Sequence, residues 1–332
     1  MIERSSKQIA PVQVARYRFH WRIKTPLQLP PYASSTLRGV FGRMLRQLAC
    51  LTRANACRGC AMASACPYPQ LFEPQTVPRP QGGQPALAPY AIETPFTFSR
   101  QEPGKDLLLQ PGKGYTFDMV LMTPAALDQL SLIVAAWRHA FAKGVGKGNG
   151  TAELVQVEHL PPQGPSSNIL SAANASLQSH NTALSVPRFY RPEDVMLRLQ
   201  TPLRIEQRGT LINERSITPA VFLRHLIRRV SFQVCAQQPS AFPLDEIHQL
   251  NALADRVKEG ERKMLWCDWE RYSSRQSKKM KLGGLVGCWE LLQVPPQLLP
   301  LIYLGQWLHL GKGSAFGLGK YRWQIPSLDS PL

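Results

Sequence analysis

The 332-residue sequence has no uninterrupted apolar run of about 18 residues, the length that a membrane-spanning helix requires. Its first residues, Met-Ile-Glu-Arg-Ser-Ser-Lys, lack the apolar core of a secretion signal. These two absences argue against an integral membrane protein and against a secreted one. We therefore expect a cytoplasmic protein, in which disulfide bonds are rare.

Acidic residues are scarce as well. The chain contains 22 Asp and Glu against 39 Lys and Arg, a formal net charge of +17, and the basic residues are spread along the whole length. An excess of this size indicates a polyanionic partner, and nucleic acid is the usual one. A membrane surface would instead require a basic amphipathic helix beside an anchor.

Glycine is concentrated near the C-terminus, in residues 309–323. Lysines and a serine are interleaved with the glycines there, and an apolar helical run precedes them. A backbone without Cβ atoms can approach a phosphodiester closely while lysines neutralise its charge. The alternative is a flexible turn between a helix and a strand. The predicted RNA-binding residues of this loop are Gly311, Lys312, Gly313, Ser314, Gly317, Gly319 and Lys320.

The order of predicted elements repeats. Each half reads strand, helix, strand, strand, helix, strand, and each ends in a helix, a loop rich in Gly and Lys, and a final strand. The first loop contains Lys143 and Lys147, and a Thr-Pro-Leu triplet begins at both Thr25 and Thr201. We predict an α+β protein of two tandem ferredoxin-like (RRM-like) βαββαβ domains, over residues 1–159 and 191–332. Residues 160–190 lack periodicity and are predicted to be a linker.

Four of the seven cysteines lie within residues 50–66, which we interpret as an insertion in the first domain. Cys50, Cys57, Cys60 and Cys66 contain a Cys-x-x-Cys core, and four thiolates in so short a segment favour a structural zinc ion. An iron–sulfur cluster and reduced free cysteines are the alternatives. Four protein ligands would leave no open position, so the expected metal is not catalytic.

Four stretches together resemble the pre-crRNA-processing endoribonucleases of the RAMP superfamily of CRISPR-associated proteins. They are residues 37–42 (LRGVFG), 66–73 (CPYPQLFE), 269–287 (WERYSSRQSKKMKLGGLVG) and 311–319 (GKGSAFGLG). The resemblance implies specific binding of a CRISPR repeat hairpin and one cut that needs no metal cofactor. The 2′-OH would attack the adjacent phosphate and leave a cyclic phosphate and a 5′-OH. Such proteins commonly stay on the 3′ hairpin of the guide RNA and can join other subunits of an effector complex.

Many relatives place a catalytic histidine on or beside the first helix and a tyrosine just before it. Here Tyr32 precedes the predicted helix, but residues 33–56 contain no histidine. Arg38 and Arg46 could instead orient the ribose and stabilise the phosphorane, and His20, on the first strand, could act as the base. A packing role for Tyr32 and a strand-face role for His20 are the alternatives.

A basic segment lies between two predicted strands of the second half. It has the position of a hairpin tip and would suit the phosphates of an RNA stem, whereas a solvated charged turn is the alternative. The residues predicted to bind RNA there are Arg271, Arg275, Lys278, Lys279 and Lys281.

These observations favour an endoribonuclease that processes CRISPR repeat transcripts. The main alternative is a non-catalytic RAMP subunit that binds guide RNA, and the missing histidine favours it. A zinc-containing nucleic-acid-binding factor would explain the charge and the cysteines but not the repeated plan of elements.

Overall fold

The structure is a computed structural model that divides into two compact units. The N-terminal unit is Val14–Thr182, and the C-terminal unit combines Met1–Gln13 with Ala183–Leu332. None of the described helices is both long and apolar enough to cross a membrane. The residues that the structure describes are 6–73, 87–96, 105–171, 176–268, 270–273 and 278–325.

The helices and strands are numbered along the chain. The helices are α1 (Ser34–Ala49), α2 (Pro67–Phe72), α3 (Pro124–Asp128), α4 (Leu130–Lys143), α5 (Pro219–Cys235), α6 (Leu244–Ala254) and α7 (Leu299–Leu308). The strands are β1 (Val12–Gln13), β2 (Ala15–Ile23), β3 (Leu27–Leu29), β4 (Tyr90–Glu93), β5 (Leu107–Leu109), β6 (Gly114–Leu121), β7 (Ala152–Leu160), β8 (Ser167–Ser171), β9 (Ala183–Leu184), β10 (Glu193–Leu203), β11 (Glu206–Gln207), β12 (Thr210–Leu211), β13 (Lys258–Cys267), β14 (Glu270–Ser273), β15 (Lys278–Lys281), β16 (Gly284–Val294) and β17 (Tyr321–Gln324).

The N-terminal unit has a five-stranded antiparallel sheet in the order β4-β6-β2-β7-β8. Without β8, this is the arrangement second, third, first, fourth, and α1 and α4 supply the two helices of a ferredoxin-like βαββαβ unit. The predicted linker over residues 160–190 is corrected here, because β8 lies within it and pairs with β7. The short sequence of β8 shows no alternation of apolar and polar residues that would have indicated a strand.

Apolar and polar residues alternate along β2, and the helices cover the face of the sheet to which its apolar residues point. Phe19 and Trp21 are buried, and Phe19 contacts Trp137 of α4 with ring centroids 6.3 Å apart. The ring of Phe41, from α1, stacks on the same Trp137 at 4.8 Å. Because successive strand residues point to opposite faces, the basic residues between these aromatics lie on the face without helices. Among them is His20.

The C-terminal unit repeats this topology. Its four-stranded sheet has the order β13-β16-β10-β17, again second, third, first, fourth, and α5 and α7 are the two helices of the motif. The predicted additional helix is α6, and β1 pairs with β9 at the start of the unit. Two ferredoxin-like units, as predicted, therefore make up the chain.

A buried histidine, His159, lies in β7 opposite Tyr17 of β2. It is 6% exposed, and its ring lies 4.7 Å from that of His180, whose Nε2 is 2.8 Å from the Tyr17 hydroxyl. Burial and, to a smaller extent, the charge of His180 lower the pKa of His159 to about 4. His159 is therefore uncharged in the folded unit at neutral pH.

Acidification should destabilise the N-terminal unit through His159. In the unfolded chain the imidazole of His159 takes up a proton near pH 6.5, whereas in the folded unit it does so only near pH 4. The stability that comes from burying uncharged His159 is therefore complete above pH 6.5 and is lost as the pH falls toward 4. We expect the free energy of unfolding to fall by about 1–2 kcal/mol between pH 7 and pH 5, measured by urea titration. His159→Gln should flatten this profile, while His139→Gln, at an exposed position of α4, should not. An unchanged slope in H159Q would refute the assignment.

Candidate functional site

Both Gly-rich loops are attached to the Thr-Pro-Leu triplet of their own unit by the same hydrogen bonds. The N-terminal Gly-rich loop is residues 143–150, and the C-terminal Gly-rich loop is residues 311–320. At the end of the first, Oγ1 of Thr25 accepts the Thr151 N–H at 2.8 Å. At the end of the second, Oγ1 of Thr201 accepts the Lys320 N–H at 2.9 Å. The repeated triplet thus marks an anchoring site.

The carbonyl oxygen of the residue after each triplet accepts a hydrogen bond from the loop. The Lys147 N–H donates to Gln28 O at 3.0 Å, and the Lys312 N–H donates to Arg204 O at 2.8 Å. The preceding glycines have φ of 73° and 84°, and a Cβ would lie 2.1 Å from Gln28 O at Gly146 and 2.3 Å from Arg204 O at Gly311. Glycine is therefore required at both positions by the close packing of the backbone, whether or not the loops bind a ligand.

The lysines of the loops differ in their surroundings. Lys143 donates to Gln47 Oε1 at 2.8 Å, and Lys147 is exposed. Lys312 is paired with Glu206, and Lys320 is half-buried. Close packing of the glycines does not account for the presence of lysines in both loops.

The remaining predicted residues of the C-terminal Gly-rich loop shape its backbone. A single 3₁₀ turn, Ser314–Phe316, lies between Gly313 and Gly317, and Ser314 is buried. The Gly317 carbonyl accepts the Thr201 hydroxyl at 2.7 Å, and the Gly319 N–H donates to Pro202 O at 3.0 Å. This loop is consequently fixed at both ends and in its middle.

A buried arginine, Arg229 of α5, supports the same loop. Its guanidinium donates to Leu308 O at 2.6 and 3.0 Å and to His309 O at 3.1 Å, at the C-terminus of α7. Burial lowers the pKa of Arg229 to about 10, which leaves it charged at neutral pH. Sequence reasoning missed this residue, since Arg228 and Arg229 are adjacent and helical spacing alone does not tell which one faces inward.

His309 stands at the start of the loop and is fully buried. Its Nδ1 lies 3.1 Å from Leu318 O, within hydrogen-bond distance. The residue therefore supports the loop and is not accessible as a base.

Tyr32, a predicted catalytic residue, is buried in the N-terminal unit. It is 3% exposed, and its ring meets that of Phe96 edge-on at 5.3 Å. Burial raises its pKa well above the ordinary value. The packing alternative therefore describes Tyr32 better than a catalytic role does.

Two of the three arginines of α1 are predicted catalytic residues, and both contact neighbouring parts of their own unit. The guanidinium of Arg38 lies 4.0 Å from the centroid of the Phe72 ring. Arg46 donates to Ala54 O and, at 2.9 Å, to Asn55 O, within the cysteine-rich segment. Arg46 thus holds that segment against the end of α1.

His20 is paired with a carboxylate on the open face of the N-terminal sheet. Its Nε2 lies 2.9 Å from Glu158 Oε2, and its side chain is 27% exposed. Gln156 Nε2 donates to the other oxygen of Glu158 at 3.2 Å. If Nε2–H donates to Glu158, Nδ1 is the proton acceptor of the ring.

The four predicted catalytic residues do not form a single constellation. Arg38 and Arg46 belong to α1, which packs against the face of the sheet to which Phe19 and Trp21 point. His20 lies on the opposite face. The intervening sheet separates His20 from both arginines. Strand alternation could have revealed this separation, because Phe19 and Trp21 flank His20 in the sequence.

The four cysteines between α1 and α2 line one small cavity of about 80 Å³. The Thr52 hydroxyl lies 3.5 Å from Cys60 Sγ and 3.9 Å from Cys50 Sγ, and Cys66 Sγ lies 3.8 Å from Ala49 O. Among the residues that the structure describes, no group of three or more His, Cys, Asp or Glu could hold a metal ion. The zinc prediction for Cys50, Cys57, Cys60 and Cys66 is therefore not supported.

The basic segment of the second half forms the predicted hairpin. β14 and β15 pair antiparallel, with Glu270 opposite Lys281 and Ser273 opposite Lys278. Arg275 lies in 274–277, outside the described residues. For Arg271, Lys278, Lys279 and Lys281 the structure describes the backbone alone.

Several solved structures share this fold. A product complex of Cas6 from Thermus thermophilus superimposes with a TM-score of 0.55 at 14% identity, covering 94% of this chain and 100% of that chain. A partial Cas6-RT-Cas1–Cas2 complex gives 0.54 at 14% identity, covering 98% of this chain and 48% of that one, a longer protein. At such identities these likenesses concern the fold alone.

Family models account for most of the sequence. One, described as an N-terminal domain, matches residues 12–182, and another, described as the CRISPR-associated endoribonuclease Cas6, matches residues 197–321. The comparison with curated proteins gave no match. The second model includes the closing helix α7 and the C-terminal Gly-rich loop. Residues 197–321, most of the C-terminal unit, therefore belong to the family of CRISPR-associated Cas6 endoribonucleases.

Proposed function

We propose that this chain cuts CRISPR repeat RNA by a metal-independent reaction, in which a ribose 2′-OH attacks the adjacent phosphate. The products are a cyclic phosphate and a 5′-OH, and the protein then stays on the 3′ hairpin of the guide RNA, from which it can join an effector complex. Family membership supports the activity. The His20–Glu158 pair, with its accessible imidazole, is the observation that supports the mechanism.

The reaction balances within the substrate. Nδ1 of His20 takes the proton of the 2′-OH while Glu158 holds Nε2–H and stabilises the imidazolium that forms. The 2′-oxygen bonds to phosphorus, the bond to the 5′-oxygen breaks, and that oxygen takes up a proton from solvent, to which the imidazolium returns the proton of the 2′-OH. The 2′-OH of the substrate is the nucleophile.

RNA binding is assigned to the cations of the Gly-rich loops and of the β14–β15 hairpin. A fixed loop backbone lets Lys147 and Lys312 meet phosphates without first ordering the chain, which lowers the entropic cost of binding. Arg38, Arg46 and Tyr32 are assigned to supporting α1 and the cysteine-rich segment, on the contacts described above. The proposed binding residues remain those of the sequence analysis, with the hairpin contributing Arg271, Arg275, Lys278, Lys279 and Lys281.

A guide-RNA-binding subunit that does not cut is the second candidate. It is favoured by the absence of histidine from residues 33–56 and by the separation of His20 from the α1 arginines. Such a protein would use the same loops and hairpin. The two candidate functions therefore differ in whether the bound RNA is cut.

A cleavage assay with chelator separates these candidates. The cognate repeat RNA is incubated with excess EDTA, beside the same RNA carrying a 2′-deoxy sugar at the cut site. We expect cleavage of the all-ribose RNA alone, because the deoxy sugar lacks the nucleophile. Tight binding of both RNAs without any cleavage would establish the non-cutting subunit.

Replacing the proposed base should reduce the rate and leave binding intact. His20→Ala is expected to lower the single-turnover cleavage rate by about 10²–10⁴ with an unchanged Kd for the repeat RNA. Glu158→Gln should reduce the rate less, because the imidazole is still held in place but the imidazolium that forms loses its anionic partner. His248→Ala, at an exposed position of α6, is the matched control. Full activity of H20A would remove His20 from the mechanism.

Adding one methyl group at Gly311 tests whether RNA binding depends on the close contact between the C-terminal Gly-rich loop and Arg204. Gly311→Ala puts a Cβ 2.3 Å from Arg204 O, so the loop must move, and we expect repeat RNA to bind about 10-fold more weakly. Gly148→Ala is the matched control, since Gly148 has nearly the same φ, 83°, but no atom within 4 Å of its Cβ position. Equal losses in both variants would show that backbone strain, not loop position, is responsible; thermal melting checks that both fold.

A further inference from the structure

A row of basic residues crosses the sheet of the C-terminal unit. Arg198 of β10 lies opposite Arg322 of β17 on one side and opposite Cys288 of β16 on the other. Lys263 of β13 lies opposite Cys288 in turn. Arg198, Arg322 and Lys263 are exposed, and we call these three the cation row.

The cation row belongs to the face of the sheet that carries no helices. The residues on either side of Arg198, Leu197 and Leu199, are buried at 0% and 3% exposure. They therefore point toward the helices, and Arg198 points away from them. Arg198 and Arg322 face the same side, because residues directly opposite in an antiparallel pair do.

Two arginines directly opposite each other on neighbouring strands repel. Strands lie about 4.8 Å apart, so the two cations are held close together, and such like-charge pairs destabilise a sheet. Among the residues that the structure describes, neither Arg198 nor Arg322 has an ion-pair partner, whereas Lys263 pairs with Glu261 at 2.6 Å. An anion bound across the two arginines would remove this repulsion.

The N-terminal sheet, which has the same topology, pairs most of its cations with carboxylates, and Arg22, which has no ion pair among the described residues, lies opposite Glu153 of β7. Arg16 pairs with Glu93 at 3.1 Å, Arg18 with Asp118 at 2.8 Å, and Lys24 with Glu153 at 2.5 Å. The two sheets therefore differ in charge compensation although they share one fold. The uncompensated arginines are a property of the C-terminal sheet and not of the architecture.

The cation row continues the C-terminal Gly-rich loop. Lys320, the last residue of that loop, precedes Arg322 by two positions, and its carbonyl accepts the Gln200 N–H at 2.9 Å. Gln200 follows Arg198 by two positions on β10. Strand alternation puts Gln200 on the side of the cation row, and its backbone bond to Lys320 brings the end of the loop next to that row. The loop and the row thus form one continuous basic surface.

We propose that the cation row binds the phosphates of a single-stranded RNA segment that leaves the C-terminal Gly-rich loop across the open face of the sheet. Half-exposed Met196 and Gln200 lie beside Arg198 on the same face and can contact unstacked bases. A paired stem would present its phosphates on a rigid cylinder and leave no free bases for these side chains. This inference rests on the proposed RNA-processing function and names the unpaired part of its substrate.

The test compares a hairpin RNA that carries a single-stranded extension of ten uridines, on the 5′ or on the 3′ side, with the hairpin alone. Arg198→Gln/Arg322→Gln should bind at least one of the extended RNAs about 10-fold more weakly at 0.1 M salt, with a salt slope reduced by about 1.4, and should bind the hairpin as wild type does. Arg224→Gln/Arg256→Gln is the control of equal charge change; Arg224 pairs with Asp255, away from the sheet face. An equal loss in the control, or an equal loss on the bare hairpin, overturns the proposal.

Cys288 gives a second readout that does not depend on cleavage. It is half-exposed between Arg198 and Lys263, so bound extended RNA should slow its alkylation by iodoacetamide about 10-fold, as expected for 90% occupancy. Cys235, half-exposed at the end of α5, should react unchanged. Unprotected Cys288 at saturating RNA would refute the proposal. A protein that protects Cys288 yet never cuts RNA would refute the proposed catalysis alone.

Discussion

The geometry of this protein depends on close backbone contact between each Gly-rich loop and the residue that follows its Thr-Pro-Leu triplet. At Gly146 and Gly311 the distance to a facing carbonyl leaves no room for a side chain. Hydrogen bonds from Lys147 and Lys312 then fix the lysine backbones at equivalent points of the two units. The same contact thus serves packing and presents a cation, which explains why glycine and lysine alternate in both loops.

The sequence allowed the fold to be predicted where its patterns are regular. Alternation in β2, helical spacing in α1 and α4, and the repeated triplet indicated two ferredoxin-like units, and the structure and its relatives confirm them. Residues 160–190 misled the prediction because β8 is a short strand of mixed polarity. Its place in the sheet is determined by pairing with β7, which is a tertiary interaction.

The candidate site was less predictable, since its features depend on which face a side chain occupies. Tyr32 was assigned by resemblance, and the core around it decides that it is buried. Arg229 resembles Arg228 in sequence, but only Arg229 reaches the carbonyls at the end of α7. The sequence placed His20 on a strand, as the structure does, whereas Glu158, 138 positions away, could be found as its partner only in three dimensions.

The buried guanidinium of Arg229 connects the packing of the helices to the shape of the C-terminal Gly-rich loop. An arginine loses its hydration when it is buried, and the carbonyls of Leu308 and His309 compensate for this only after α5 and α7 have packed together. The shape of the C-terminal Gly-rich loop therefore depends on the packing of α5 against α7. A chain with a loosened α5 would keep its positive charge and its sheet, but it would meet RNA with a disordered loop and lose affinity before it lost its fold.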